Sequence, residues 1–198
     1  IKTKLKKIIL LKQIHSNKFH FVDKNLKLKN YNFEGDALIT NKKEFPIAIL
    51  TADCAPILIY DEKEKMIAAI HAGWKGAFKG IINKTLNFMI KKGCTTKNIT
   101  AVIGPCISVK NYEVKKDFIK KLIKKDGKNK KFFNKIQNKN FFNLKKYVHS
   151  QLKALNIKKI DIINKDTFNP KNNFFSARRS IGRKESDYGR NISVIMIN

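Results

Sequence analysis

Cysteine is scarce in this chain: Cys54, Cys94 and Cys106 are the three present, with no Cys-x-x-Cys spacing. An odd count without short spacings argues against a disulfide framework and fits a reducing compartment. Long apolar runs are also missing. None approaches the roughly 20 residues that cross a bilayer, and Ile1–Leu11 is too basic and too short for a secretory signal. The expectation is a soluble, cytoplasmic protein without a membrane partner. Acidic residues are few, 15 against 43 basic ones, which leaves a net charge of +28. Such a charge suits polyanions, but the basic residues are almost all Lys, spread over every segment together with much Asn and Ile, as an AT-rich coding sequence would produce. Aromatic–basic interleaving and nucleic-acid motifs are absent, so no specific nucleic-acid partner is expected.

Against that lysine background arginine stands out. Arg178, Arg179, Arg183 and Arg190 are the only four, and they fall within thirteen residues. A chain that uses Lys nearly everywhere else keeps Arg where a planar fork is required, and bidentate grip on phosphate or carboxylate is the natural use. An exposed basic loop is the competing reading.

At 198 residues the chain is expected to form one domain, residues 1–198, with a sizeable core. Strands are expected at Ile8–Ile14, Phe19–Val22, Gly35–Thr40, Ile47–Leu50, Ala55–Tyr60, Met66–Ile70, Ile99–Ile103, Ile160–Ile163 and Ile192–Ile197, from short apolar, β-branched runs. Helical spacing appears from Ile81 to Ile90 before Gly93, from an Asn111 cap through Leu122, and from Leu144 to Leu155. Gly127–Asn140 reads as an irregular connection. Strand clusters alternating with three helices predict an α/β (α+β) fold on a mixed, mainly antiparallel sheet flanked by helices.

The most informative pair is Cys54 and His71. Thr51-Ala-Asp-Cys54 enters one strand, His71-Ala-Gly-Trp-Lys-Gly76 leaves the next, and Asp61–Lys65 between them reads as a turn. A hairpin centred on Glu62 and Lys63 sets residue 54 opposite residue 71, with Cβ atoms about 4.5–5.5 Å apart. A thiol beside an imidazole supports either a metal site or a nucleophile with its base. An unremarkable core cysteine is the alternative, but the neighbouring Asp53 on an apolar strand and the glycines after His71 favour a site. Strand alternation turns Asp53 away from Cys54 unless the chain breaks near Pro56. A catalytic zinc takes three protein ligands. Of the remaining histidines, His149 reads as a solvated helix residue and His20 as a sheet-face residue, so His15 is the best third ligand, with Cys106 a weaker one.

Gln13-Ile-His15-Ser, Gly35-Asp-Ala-Leu-Ile-Thr40, Thr51-Ala-Asp-Cys54-Ala-Pro, His71-Ala-Gly-Trp-Lys-Gly76, Ile103-Gly-Pro-Cys-Ile107 with Tyr112-Glu-Val114, and Phe174-Phe-Ser-Ala-Arg-Arg179 with Gly189-Arg190 together resemble the YfiH-type family, often labelled laccase-domain or polyphenol oxidase proteins. The resemblance runs from His15 to Arg190. It implies a layered α/β fold and a cytoplasmic enzyme that phosphorolyses adenosine, inosine, guanosine and methylthioadenosine and deaminates adenosine. The zinc ligands it implies are His15, Cys54 and His71. Nucleoside and phosphate are the implied partners.

Zinc can bring the pKa of a bound water to about 7, suited to attack on the amine-bearing purine carbon, with Asp53 or Asp36 as proton carrier. Phosphorolysis needs phosphate held in line with the sugar carbon and a stabilised purine leaving group. Cys54, Asp53 and His71 are thus the expected catalytic residues, and Gln13, Asp36, Lys75, Arg178, Arg179 and Arg190 the expected substrate contacts. Lys75 stands where the family usually has Arg, and nothing before Gln13 matches the family's Arg-Gly-Gly-like amino-terminal segment, so a short variant or a missing start is expected. A copper polyphenol oxidase is disfavoured because multicopper centres need more imidazoles than four histidines supply. A Cys54/His71 thiol hydrolase, amidase-like, is the main enzymatic rival, and a metal-binding or nucleoside-sensing protein the non-enzymatic one.

Overall fold

Apolar residues at nearly every position of two neighbouring strands require cover on both faces, and the computed structural model shows how they obtain it. It describes residues 8–23 and 33–198; the part of Ile1–Leu11 before Ile8 lies outside them. The strands are β1 (Phe19–Val22), β2 (Ala37–Thr40), β3 (Ile47–Thr51), β4 (Ala55–Asp61), β5 (Met66–Ala72), β6 (Ile99–Ile103), β7 (Glu113–Val114), β8 (Phe133–Ile136), β9 (Lys139–Phe142), β10 (Lys159–Ile162) and β11 (Asn191–Ile195). The α-helices are α1 (Trp74–Lys79), α2 (Ile81–Lys91), α3 (Lys116–Lys125), α4 (Leu144–Ala154) and α5 (Ala177–Gly182).

Six strands form the main sheet in the order β1-β2-β5-β4-β6-β10. Its outer pairs, β1–β2 and β6–β10, are parallel, and the inner pairs are antiparallel. Ile57, Ile59, Ala68 and Ile70 pack on one face with Ile81, Ile82, Leu86 and Met89 of α2 and Val148 and Leu152 of α4. The other face carries Leu38, Ile67 and Ala69, which pack against Ile47 and Ile49 of β3 together with Ile9, Leu11 and Ile197. The result is a helix layer, a central sheet, and a third layer in which β3 pairs antiparallel with β11. Every residue of β5 is buried, and each fully buried Ile or Leu side chain contributes about 1.5–3 kcal/mol of transfer free energy. This is the mixed, mainly antiparallel α/β arrangement expected from the sequence.

Several elements differ from expectation. Ile8–Ile14 is not a strand but an extended segment with isolated bridges, Ile9 to Ile47 and Lys12 to Glu34, and it bends where His15 adopts φ 54°. The helix expected from Asn111 begins instead at Lys116, because Glu113–Val114 pairs with β9 and the backbone carbonyl of Tyr112 accepts from Phe142 N at 3.0 Å. Within Gly127–Asn140, Gly127–Phe132 is a short 3-10 helix, followed by a β8–β9 hairpin turning through Gln137 and Asn138 at φ 46° and 62°. The stretch after His71 and the arginine segment are the short helices α1 and α5, which raises the α-helices to five among the described residues.

The β4–β5 register also needs correction: Pro56, not Cys54, pairs with His71, and Asp61 pairs with Met66. The turn is therefore Glu62–Lys65, one residue further along than the sequence suggested. Asp61, fully buried, pins it, because one carboxylate oxygen accepts from Lys63 N and Glu64 N at 2.9 Å each while the other accepts from Thr95 N at 3.1 Å. Lys65 closes the turn at φ 48°. Charge-assisted bonds of this kind are worth about 1.5–3 kcal/mol each. Asp61→Ala is accordingly expected to lower the unfolding free energy by at least about 3 kcal/mol in chemical denaturation, with Asp61→Asn costing roughly half as much.

Candidate metal centre and its clefts

Asp36, the residue before β2, is fully buried and gathers the site around itself. Its Oδ1 takes His71 Nδ1 at 2.8 Å and accepts from His15 N at 3.0 Å. Its Oδ2 accepts from Ser16 N at 2.5 Å and Ser16 Oγ at 2.7 Å. Burial pushes the carboxyl up, but the hydrogen bonds from His71 and Ser16 outweigh it and hold the pKa at about 2. Asp36, expected as a substrate contact, is a fully buried carboxylate occupied by four donors. It orients His71, whose other ring nitrogen is left for Cys54.

Cys54 sits in the bend just before β4, with Sγ 3.8 Å from His15 Nε2. The His15 and His71 rings meet edge to face, 4.7 Å between centroids. One donor atom each from His15, Cys54 and His71 lies within 4.8 Å of the others. Gly73 makes this approach possible, since a Cβ there would stand 2.7 Å from Cys54 Sγ and 3.1 Å from His15 Cδ2.

Burial raises the Cys54 thiol, yet hydrogen bonds from His15 and His71 bring it down to about 7. His71 is disfavoured as a cation by burial, but Asp36 and then Cys54 lift it to about 9. Without a metal both shifts run toward the imidazolium–thiolate form of the pair, with the Asp36 carboxylate behind it. One thiolate and two imidazoles fit a zinc or copper ion in a site with an open fourth position, and a carboxylate on the far ring nitrogen is the usual support for a ligating histidine.

Asp53 occupies φ 104°, which a non-glycine residue seldom adopts. Its carboxylate accepts from Thr167 Oγ1 at 2.6 Å and from Arg178 N at 2.7 Å. The side chain thus serves the α5 region rather than the cluster. Cys106, fully buried and pushed up to about 12, chiefly by burial, is not part of the donor group. His20 contacts the Glu34 carbonyl at 2.9 Å, and His149 lies partly buried on α4.

Two clefts share His15, Ala52 and Cys54. The larger, about 380 Å³, is lined among others by Trp74, Lys75, Tyr112 and Arg178. The smaller, about 260 Å³, is lined among others by Gln13, His71, Tyr188 and Arg190. Gln13 spends its amide on Leu50, donating to its carbonyl at 2.7 Å and accepting from its N–H at 2.8 Å. The Arg178 guanidinium donates to the Glu113 carbonyl at 3.1 Å and lies 5.4 Å from the Tyr112 ring. Arg190 stacks on Tyr188 at 3.8 Å. The Arg179 guanidinium, expected as a substrate contact, donates to the carbonyls of Thr167, Phe168 and Phe174 at 2.8, 2.8 and 2.5 Å, so its fork holds a loop. Arg183 pairs with Glu185 at 3.8 Å. Ser16 and Thr167 are the supporting residues that sequence reasoning missed; Ser16 adjoins His15, whereas nothing local marks Thr167.

The fold and the donor set define a layered α/β protein with a candidate metal centre between two ligand-sized clefts. The chain belongs to the family described as multi-copper polyphenol oxidoreductase laccase, whose model matches residues 1–198. It is 36% identical over 179 residues to the purine nucleoside phosphorylase RP494 of Rickettsia prowazekii, covering 89% of this chain and 72% of that protein. It is also 36% identical over 191 residues to the purine nucleoside phosphorylase RC0672 of Rickettsia conorii, covering 96% and 77%. Among solved structures, the hypothetical protein YfiH of Bacillus licheniformis superposes with a TM-score of 0.87 at 27% identity, covering 100% of this chain and 76% of that one. The YfiH-type resemblance of the motifs is thereby confirmed.

Gly73 has φ −67° and ψ 163°, which alanine adopts freely, so Gly73→Ala is a steric probe of the cluster alone. It is expected to weaken zinc binding about 10- to 100-fold in a competition titration while leaving the unfolding free energy within about 1 kcal/mol. Asp36→Asn should weaken metal binding by a similar factor, since it removes the carboxylate behind His71.

Proposed function

We propose that the protein is a zinc-dependent purine nucleoside phosphorylase that acts on adenosine, inosine, guanosine and methylthioadenosine and also deaminates adenosine, in the cytoplasm. The observation that carries this reading is the His15–Cys54–His71 donor group set where two clefts meet. The names of the two Rickettsia relatives support the phosphorolytic assignment.

In phosphorolysis a phosphate oxygen bonds to the sugar C1′ as the bond to the purine nitrogen breaks, and the purine leaves with the electron pair. Catalysis is then mainly positioning and charge stabilisation. Lys75 and Arg178 put two cations on the larger cleft and are the proposed phosphate ligands, while Trp74 and Tyr112 offer flat apolar surfaces to the nucleoside. Arg190, across the cluster, is a second anion contact. Lys75, whose Nζ lies 5.9 Å from the Trp74 ring centroid, carries an ammonium and so approaches phosphate as a point charge rather than as a fork. Asp36 fixes the His71 ring. A zinc ion held by His15, Cys54 and His71 would supply Lewis acidity and activate water for deamination. Copper also suits these donors, but a multicopper centre does not fit four histidines of which two stand apart, His20 on β1 and His149 on α4.

A thiol hydrolase is the second reading, favoured by the lowered Cys54 thiol beside the raised His71. Metal dependence separates the two, because a nucleophile and its base do not require an ion, whereas His15 lowers the Cys54 thiol under either reading. Under the zinc reading His15→Ala lowers kcat/KM for inosine phosphorolysis at least about a hundredfold, chelation abolishes activity, and zinc restores the wild type. A His15→Ala enzyme that cleaves inosine at the wild-type rate would overturn the zinc requirement, and cleavage that ignores phosphate would overturn the phosphorylase reading.

A further inference from the structure

We propose that Asp53 is a positioning residue: its carboxylate fixes Arg178 against the larger cleft and ties that arginine to the loop carrying Cys54. Its kinetic test rests on the phosphorylase reading. Both carboxylate oxygens are in use, Oδ1 by Thr167 Oγ1 at 2.6 Å and Oδ2 by Arg178 N at 2.7 Å. The residue is 9% exposed. Its backbone belongs to the metal side, since the Asp53 carbonyl accepts from Ile107 N at 3.1 Å and the next residue is Cys54. The left-handed φ of 104° sends the carboxylate away from the thiol and toward α5. Strain of this kind persists only where surroundings over-determine it.

The receiving segment is built around the same contact. Ser176 Oγ accepts from Arg179 N at 3.2 Å, and the Arg179 fork folds residues 167–174 back onto α5. Thr167, bonded to Asp53 through its hydroxyl and to Arg179 through its carbonyl, links the two halves. With its backbone held by Asp53, the Arg178 side chain lies between the Glu113 carbonyl and the Tyr112 ring on the cleft wall. A carboxylate saturated in this way has no geometry for carrying protons to a substrate, so its effect passes through Arg178.

Asparagine can keep both contacts, with Oδ1 accepting from Arg178 N and the amide donating to Thr167 Oγ1. Glycine removes them while tolerating the backbone angle. The test uses the zinc-loaded full chain as wild type, Asp53→Asn, Asp53→Gly, Arg178→Met and the double variant Asp53→Gly/Arg178→Met. Two readouts are taken: KM for phosphate against kcat in inosine phosphorolysis, and titration with inorganic phosphate followed by the fluorescence of Trp74, the single tryptophan, which lines the same cleft.

Asp53→Gly is expected to raise the phosphate KM and dissociation constant about tenfold or more, with kcat falling less and zinc content unchanged; Asp53→Asn stays within about threefold, and the double variant is no worse than Arg178→Met, as coupled residues require. Additive losses in the double variant overturn the proposal. So does an Asp53→Asn enzyme that binds phosphate normally but loses kcat about a hundredfold, which marks proton transfer. If Asp53→Gly does not fold, Thr167→Val takes its place, and a wild-type phosphate constant in that variant overturns the proposal. Absent phosphorolysis in the wild type sinks the phosphorylase reading alone, because the fluorescence titration still reports Arg178; a wild-type Trp74 signal indifferent to phosphate sinks the positioning role.

Discussion

A single buried carboxylate sets the geometry on which the site depends. An ionised Asp36 with no exposure would be prohibitive alone, and it is tolerated because His71, His15 and Ser16 surround it with donors. Those donors come from the extended segment after Leu11 and from the end of β5, so satisfying the carboxylate also fixes the distance between the two histidine rings. In the metal-free protein the pair has a defined pH range. Asp36 is lowered from 3.8 to about 2, so its contribution is full above 3.8 and is lost as pH falls through about 2. His71 is raised from 6.5 to about 9, so its contribution is full below 6.5 and is lost as pH rises through about 9.

The cluster was legible in the sequence for a reason that survives an error. Reading the β4–β5 turn one residue early placed Cys54 opposite His71, whereas Pro56 holds that position. Side chains alternate with a period of two, so a two-residue shift in pairing leaves the thiol on the same face and brings it beside His71 at the strand end. What local pattern could not give in full was the turn, where Asp61 bonds to Lys63 and Glu64 nearby but also to Thr95, 34 residues away. The same limit explains the Asn111 helix. Asn and Glu near a helix start are good local signals, but Glu113–Val114 is claimed by β9, and the aromatic group of Tyr112, Phe118, Phe133 and Phe142 draws that segment into tertiary packing.

Requiring a planar guanidinium and using it on a ligand are separate properties of a site. Arginine in a lysine-rich chain did mark places that need a planar fork, but the fork's partner was not always a ligand. Arg179 uses its donors on three backbone carbonyls, a task for which an ammonium would serve poorly. Arg178 and Arg190 reach the clefts, and Arg183 meets an exposed glutamate. Composition can reveal that a guanidinium is required; the fold decides what it grips.

The donor set alone does not choose the chemistry, which is how a family described by copper oxidation can contain relatives named for nucleoside cleavage. A thiolate with two imidazoles accepts copper or zinc, and an open coordination position serves either. Selection passes to the walls. Lys75 and Arg178 make one cleft attractive to an anion, the Trp74 and Tyr112 rings beside them provide flat apolar surface, and Asp53 joins that wall to the chain that supplies the thiolate. A change confined to the three donors would alter which metal the cluster can accept, whereas a change to the walls would alter which ligands the clefts can accept.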